Sequence, residues 1–424
     1  MGSLLISGGR VIDPAQKLDR VCDLLLKDGL VAAAGQGLTA DETFDARGLV
    51  VTPGLIDLHV HLREPGLASE ETIATGSAAA VAGGFATVLA MPNTDPPVDS
   101  ATAVSHIYLQ AARTDLANVF PTGCVSKGRA GKELAEMAEM DRAGAVAFTD
   151  DGDWIVSSRL MRRAFEYARG LGRPILCHCE ETDLVSGGTA NEGYQSVRLG
   201  LGGRSAAAEE IAVYRDLRLA EAAGARVHVC HVSTAGSVEL VRSAKRRGLP
   251  VTCEVTPHHL TLTDAALEGY DPAFKMNPPL RTAEDCQALI AGLADGTIDA
   301  IATDHAPHAP EEKEQEFAAA PSGVVGLETA LGVILDRVVG AGGLDLATAV
   351  QCLTAGPASV LGLLPRGTLC VGAPADVTVI DPERRWTVDP SAFRSPGKST
   401  PFAGWELKGR AVLTVVGGRV RFRL

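Results

Sequence analysis

The chain has 424 residues, of which 46% are hydrophobic and 21% charged, the profile of a globular protein with ample core material. Its net charge of −13 argues against nucleic acid or an anionic membrane as a partner, although a local site can still take a small anion. No apolar run reaches the ~20 residues of a membrane span, the N-terminus lacks the basic region of a signal peptide, and nine scattered cysteines form no disulfide framework, so a reduced, cytoplasmic setting is expected.

At more than the ~100–200 residues of one domain, the length suggests a large unit and a smaller one. The first elements are short apolar runs broken by glycine turns, over Leu4–Asp13, Asp23–Ala34 and Gly48–Thr52. The last elements share that texture, over Ala375–Ile380, Trp386–Val388 and Ala411–Phe422, and VLTVVGGRVRF echoes LLISGGRVID. The two ends therefore read as one discontinuous β-sandwich, residues 1–53 with 367–424, and residues 54–366 as an inserted unit.

Within the insert, apolar β-branched runs occur at Leu55–Leu62, Ala86–Met91, Val119–Val125, Ala145–Thr149, Pro174–Cys179, Arg226–Val232, Pro250–Thr256 and Asp299–Thr303. Helical spacing falls between them, for example over 157–170, 205–223, 237–247 and 283–294. Eight strands alternating with helices predict an α/β fold, a closed (β/α)₈ barrel. An open doubly wound sheet would need a nucleotide loop, and GLGGR at 200–204 fits neither the dinucleotide fingerprint nor the phosphate-loop pattern.

Metal-competent residues gather at the C-terminal ends of these strands, the face that carries a barrel's active site. Strand alternation points His59 and His61 to the interior, with Arg63 next on that side. The fourth strand ends in Asp150-Asp151-Gly152, a carboxylate pair that suits either a turn or a bridge between two cations. His178 and His231 end the fifth and sixth strands, while parity turns Cys177, Cys179 and Cys230 away as packing thiols. Asp304, ending the eighth, is placed to bind a cation and to accept a proton. His308 lies beyond it as a candidate substrate contact. His228 and His106 read as packing residues, and His258 and His259 as residues near the mouth. Four histidines and two aspartates suit a pair of zinc ions without cysteine, machinery for opening or closing an amide.

The strings DLHVHLREPG (57–66), MPNTDPP (91–97), FTDDG (148–152), NPPLR (277–281), TDHAPH (303–308) and GLETAL (326–331) together resemble the dihydroorotases of the long bacterial type, across nearly the whole chain. The resemblance implies a zinc-dependent, reversible cyclisation of N-carbamoyl-L-aspartate to (S)-dihydroorotate in pyrimidine synthesis. It implies His59, His61 and Asp304 on one zinc, His178 and His231 on the other, and Asp151 bridging them, where many relatives use a carboxylated lysine. Asp304 matches the catalytic acid/base. His61, Arg63, Asn93, Asn277, His308 and the Ser322-Gly323 backbone match substrate contacts. An arginine fork with amide groups suits a substrate carboxylate. Ser322 stands where the family often has an aromatic side chain, so packing over the substrate is not implied there. The charged stretch EEKEQEF at 311–317 reads equally as a mobile lid or a solvated loop. A homodimer and a complex with aspartate transcarbamoylase are further expectations. The competing readings are a hydantoin- or allantoin-cleaving relative and an inactive scaffold homologue.

Overall fold

Two sets of strands organise the chain, and they differ in what they bury. The structure is a computed structural model and describes residues 2–424. The terminal strands Ser3–Asp13, Leu18–Lys27, Leu30–Gly35, Glu42–Asp45 and Val50–Pro53 join Val377–Thr387, Glu406–Val416 and Arg419–Arg423 in one hydrogen-bonded sheet. Its outer regions meet, since Leu24, Leu26 and Val31 from one end share an apolar cluster with Val377, Leu413 and Val415 from the other. The layers of the sandwich are thus parts of a single folded sheet. Irregularities in register, such as that between Ile6 and Gly9, accompany its bending.

The chain leaves this sheet at Pro53 and enters the first barrel strand, Leu55–Val60, through Gly54. A Cβ at Gly54 would lie 2.5 Å from the Ala86 Cβ on the barrel side and 3.1 Å from Asp376 on the sheet side, so only glycine lets the two units pack this closely. Parallel pairing then runs from Leu55–Val60 through Phe85–Ala90 to Asn118–Pro121, and from Ile175–Cys177 through Val227–Val229 and Val251–Val255 to Ala300–Ile301. The expected strand at 145–149 appears as the single bridging residue Phe148, paired to Gly123 on one side and Ile175 on the other. Val60 pairs with His305 and closes the ring. Leu55–Val60 and Phe85–Ala90 are buried throughout, as strands covered on both faces must be.

The expected helices appear at Ser158–Leu171, Ala206–Ala223, Ala235–Arg246 and Ala283–Ala294. Local chemistry sets their ends. Ser157, Thr234 and Thr282 accept from backbone N–H groups three residues on, and Gly172 and Gly224 close two C-termini in left-handed conformation. The main apolar cluster lies between this helical layer and the ring, and a second fills the ring itself, with Leu58, Leu89, Ala147, Leu176, Cys230 and Ala302. In the segment 311–317, Glu311, Glu314, Gln315 and Glu316 are exposed, as on a solvated loop, while two residues anchor it inward. Lys313 and Phe317 are buried, and the Lys313 ammonium donates to the Pro321 and Gly323 carbonyls. Among the described residues no helix is long and apolar enough to cross a membrane.

Candidate metal centre

The strand ends deliver the expected histidines and aspartates to one point at the barrel mouth. His59 and His61 leave the first strand on one side, as alternation requires, and both direct Nε2 at the Asp151 and Asp304 carboxylates. The His59 Nε2 lies 3.2 Å from Asp151 Oδ2 and 3.6 Å from Asp304 Oδ1. For the His61 Nε2 the order reverses, 3.1 Å to Asp304 Oδ1 and 3.6 Å to Asp151 Oδ2. Across the centre, His178 Nδ1 and His231 Nε2 are 3.0 Å apart and face the other oxygen, Asp151 Oδ1, at 3.4 and 3.5 Å. One carboxylate therefore addresses two histidine pairs with one oxygen each.

The choice between the paired aspartates is made by the backbone. Asp150 turns away and accepts from the Val125 and Ser126 amides and the Ser126 hydroxyl, which leaves Asp151 inward. Arg63, His231 and Asp304 all have φ between 30° and 59°. This left-handed conformation costs about 1–3 kcal/mol per non-glycine residue. It reverses the chain at three strand ends and brings their side chains over the mouth.

Behind the ligand candidates stand residues that fix their orientation. His59 Nδ1 donates to Glu254 Oε1 at 2.7 Å, and the other Glu254 oxygen receives His228 Nε2 at 3.2 Å. His61 Nδ1 donates to Asn93 Oδ1 at 2.7 Å. The two Nδ1 contacts keep a proton on Nδ1 of His59 and His61, so that Nε2 is the nitrogen able to turn a lone pair to a cation. On the opposite side Glu180 Oε2 lies 3.8 Å from His178 Nε2. Neither Glu254 nor Glu180 was singled out in the sequence, although a carboxylate inside the apolar strand Val251–Val255 and the run His178-Cys179-Glu180 were signals for them. His228 packs in the core as expected, but through Glu254 it also touches the site. His259 is held by Thr256 and the Pro278 carbonyl, whereas the buried His258 Nε2 has no hydrogen-bond partner.

A cavity of about 270 Å³ opens onto this centre. His61, Arg63, Asn93, Asp151, His178, His231, Asn277, Asp304, His308, Ser322 and Gly323 line it, so every expected site residue except His59 reaches it. Arg129 joins them unforeseen, paired with Asp153 at 2.6 Å. The Arg63 Nε is 3.0 Å from Glu70 and donates to the Pro307 carbonyl. The His308 Nε2 donates to the Ser322 carbonyl. Gly323 has φ 132°, and a Cβ there would come within 2.9 Å of His308 Nε2. The polar atoms of Asn277 are engaged with Arg204 and Glu180 at the cavity edge.

The charges at the centre suit cations. Burial alone would raise Asp151 and Asp304, yet the positive field of His59 and hydrogen bonds from neighbouring histidines hold both well below the ordinary carboxylate range. Burial would lower His178, but Asp151 and Glu180 outweigh it and push the imidazole up to about 10. Protons and metal ions compete for such nitrogens, so a site that attracts protons this strongly also attracts cations. The buried Asp151 Oδ1 closes no well-formed hydrogen bond, although His178 and His231 face it at 3.4 and 3.5 Å. Two groupings, His59–His61–Asp151 and Asp151–His178–His231, bring their ligand atoms within 4.8 Å of one another. The residues fit a metal pair.

Comparison with known proteins agrees in kind. Residues 48–237 match the family model described as dihydro-orotase-like. The chain is 55% identical over 424 residues to a dihydroorotase of Geobacter sp. (strain M21), covering 99% of each. It is 52% identical to a dihydroorotase of Syntrophotalea carbinolica, again over 99% of each chain. Among solved structures, the L-hydantoinase (dihydropyrimidinase) of Arthrobacter aurescens superposes with a TM-score of 0.91 at 31% identity, over 100% of this chain and 96% of the other. A D-hydantoinase from Thermus sp. gives 0.85 at 27% identity, over 99% and 95%.

Proposed function

The chain belongs to the dihydroorotase family of cyclic amidohydrolases, and on that footing we propose that it interconverts N-carbamoyl-L-aspartate and (S)-dihydroorotate plus water, the ring-closing step of pyrimidine biosynthesis. The observation that carries the reading is the Asp151 carboxylate offering one oxygen to each of two histidine pairs at a barrel mouth. We propose zinc as the metal, two ions per chain, with His59, His61 and Asp304 holding one, His178 and His231 the other, and Asp151 both. Four imidazoles and two carboxylates without a thiolate form a donor set that zinc accepts. When bound, such ions polarise a carbonyl and acidify water.

The chain's own groups supply the rest. In ring opening, Asp304 accepts the proton of the attacking water and passes it to the leaving ring nitrogen; ring closure reverses the transfer. Asp304 lies below the usual carboxylate range, so it is ionised, as a proton acceptor must be. Arg63 is fixed through Nε by Glu70 and Pro307, so its remaining N–H groups are free to meet the substrate carboxylate. His308, Asn93, Asn277 and the Ser322-Gly323 backbone complete the pocket wall. A homodimer and a complex with aspartate transcarbamoylase go with this reading as the assemblies to seek by sedimentation.

The likeness to hydantoinases makes a different cyclic amide the competing substrate, and Asp151 in place of a bridging lysine together with Arg63 favours dihydroorotate. Purified protein is to be assayed on dihydroorotate, hydantoin and allantoin side by side, with metal analysis of the same sample. Turnover of dihydroorotate by protein holding about two zinc ions is expected. Cleavage of hydantoin or allantoin with none of dihydroorotate overturns the proposal, and so does an inert, metal-free chain.

A further inference from the structure

The glycine-rich run at 200–204 carries no nucleotide-loop pattern, yet its packing has a consequence at the metal centre. Residues Ala190–Asn191 pair in parallel with Gly203–Arg204 on an excursion between the fifth barrel strand and the helix Ala206–Ala223. The two arms touch backbone to backbone. A Cβ on Gly188 would lie 2.4 Å from the Gly203 carbonyl oxygen, and one on Gly202 would lie 2.5 Å from that of Gly187. Such closeness is open only to glycine. It delivers Arg204 to the cavity edge with Nε donating to the Gly188 carbonyl at 2.8 Å. The buried Arg281 ties both arms together, donating to the Arg204 carbonyl and to Asn191 Oδ1, both at 3.0 Å.

The guanidinium then closes a ring of contacts. Arg204 Nη1 donates to Glu180 Oε1 at 2.8 Å and to Asn277 Oδ1 at 2.5 Å, and Asn277 Nδ2 donates to Glu180 Oε2 at 3.1 Å. The arginine has no acceptor to offer, so the Asn277 amide must present its oxygen to Arg204 and its nitrogen to Glu180. The free side of Glu180 Oε2 is left toward His178. A His178 that turns the Nδ1 lone pair to a cation carries its proton on Nε2, where Asn277 Nδ2 at 3.4 Å is another donor and cannot receive it. Glu180 Oε2 is the carboxylate oxygen facing that nitrogen, at 3.8 Å, an ion-pair separation just outside hydrogen-bond distance.

We infer that Arg204 is a positioning residue for the second half of the metal centre: by gripping Glu180 and Asn277 together it aims a carboxylate at His178 Nε2 and fixes the ring that turns Nδ1 to Asp151. This rests on His178 being a metal ligand, as proposed above. Partners of this kind typically alter metal affinity 10–100-fold.

The test is a double-mutant cycle with R204A and E180Q, reading Zn²⁺ affinity by chelator competition and the thermal midpoint of the metal-free proteins. R204A is expected to weaken the looser of two zinc ions by about tenfold or more, leave the tighter ion unchanged and keep the metal-free midpoint near wild type. The double variant is expected to bind no more weakly than E180Q, because Arg204 acts through Glu180. Wild-type zinc affinity in R204A, or losses that simply add in the double variant, overturns the inference. Should R204A not fold, R204Q takes its place in the same cycle under the same criteria. A wild-type chain that never holds a second zinc sinks the metal assignment itself, a result distinct from either outcome of the cycle.

Discussion

The two halves of the centre are built on different foundations. His59 and His61 stand on one strand, and the groups behind them lie at or near strand ends. Glu254 is fully buried in a barrel strand between His59 and His228, and Asn93 closely follows the second strand. His178 is backed instead by Glu180, whose side chain is 17% exposed and which depends on Arg204 from an excursion and Asn277 from a loop. Strands in a closed ring have their backbone groups satisfied by neighbours and move little. Excursions are held by side chains and open more cheaply. The first half is preformed by the barrel, and the second is assembled from its connections.

The largest effect that tests this contrast is at Asp304, which belongs to the preformed half yet is proposed to do the proton transfer. D304A is expected to lower kcat by about 10²–10⁴-fold, the usual worth of a general acid/base. Zinc content should stay largely intact, because His59, His61 and Asp151 remain. Wild-type kcat in that variant would remove the role. Next in size is Glu254. E254A leaves the His59 and His228 donors buried without their acceptor, which costs about 1–3 kcal/mol for each group. A fall in the urea midpoint of the metal-free protein is expected, larger than any caused by E180Q. Equal falls would erase the distinction between the halves.

Metal removal sharpens the comparison directly. Titration with a chelator should take the zinc in two steps, the His178–His231 ion leaving first with activity lost over that step. Simultaneous release would show the halves to be equally firm. The smallest effect serves as a control outside both. Burial outweighs the hydrogen bonds from the Arg394 and Ser395 amides and pushes the Glu328 carboxyl up to about 7, above its ordinary 4.5. A raised acid contributes stability that is complete below the unfolded value and is lost as pH rises through the folded one. Stability should therefore drift downward between pH 4.5 and about 7, and E328Q should flatten that drift without altering zinc affinity. An unchanged drift in E328Q would assign it to other groups.

Much of the fold was legible because its signals are local. Apolar runs of strand length and the helical spacing between them gave the alternation, and the helix at 283–294 was found with its bounds. The fourth strand was legible as an apolar run, but its pairing narrows to Phe148 alone, since pairing depends on neighbours that the run does not contain. His59, His61 and His178 were legible from their places at strand ends, whereas parity misjudged the sixth strand: Cys230 faces into the ring, and the left-handed conformation at His231 is what turns its imidazole to the centre. Glu254 was not, because a lone carboxylate in a strand becomes meaningful only when two histidines from other strands lie against it. Arg204 was seen only as part of a glycine-rich run, with no hint of Glu180 or Asn277 beside it.

By itself the sequence determined which residue types capable of binding metal end the strands, because periodicity is a property of a few neighbouring residues. Only the tertiary structure decided that Asp151 rather than Asp150 turns inward, that each of its oxygens meets a different histidine pair, and which groups stand behind those pairs. Those outcomes depend on distances between segments up to 195 residues apart, as from His59 to Glu254, and such distances exist only once the ring has closed.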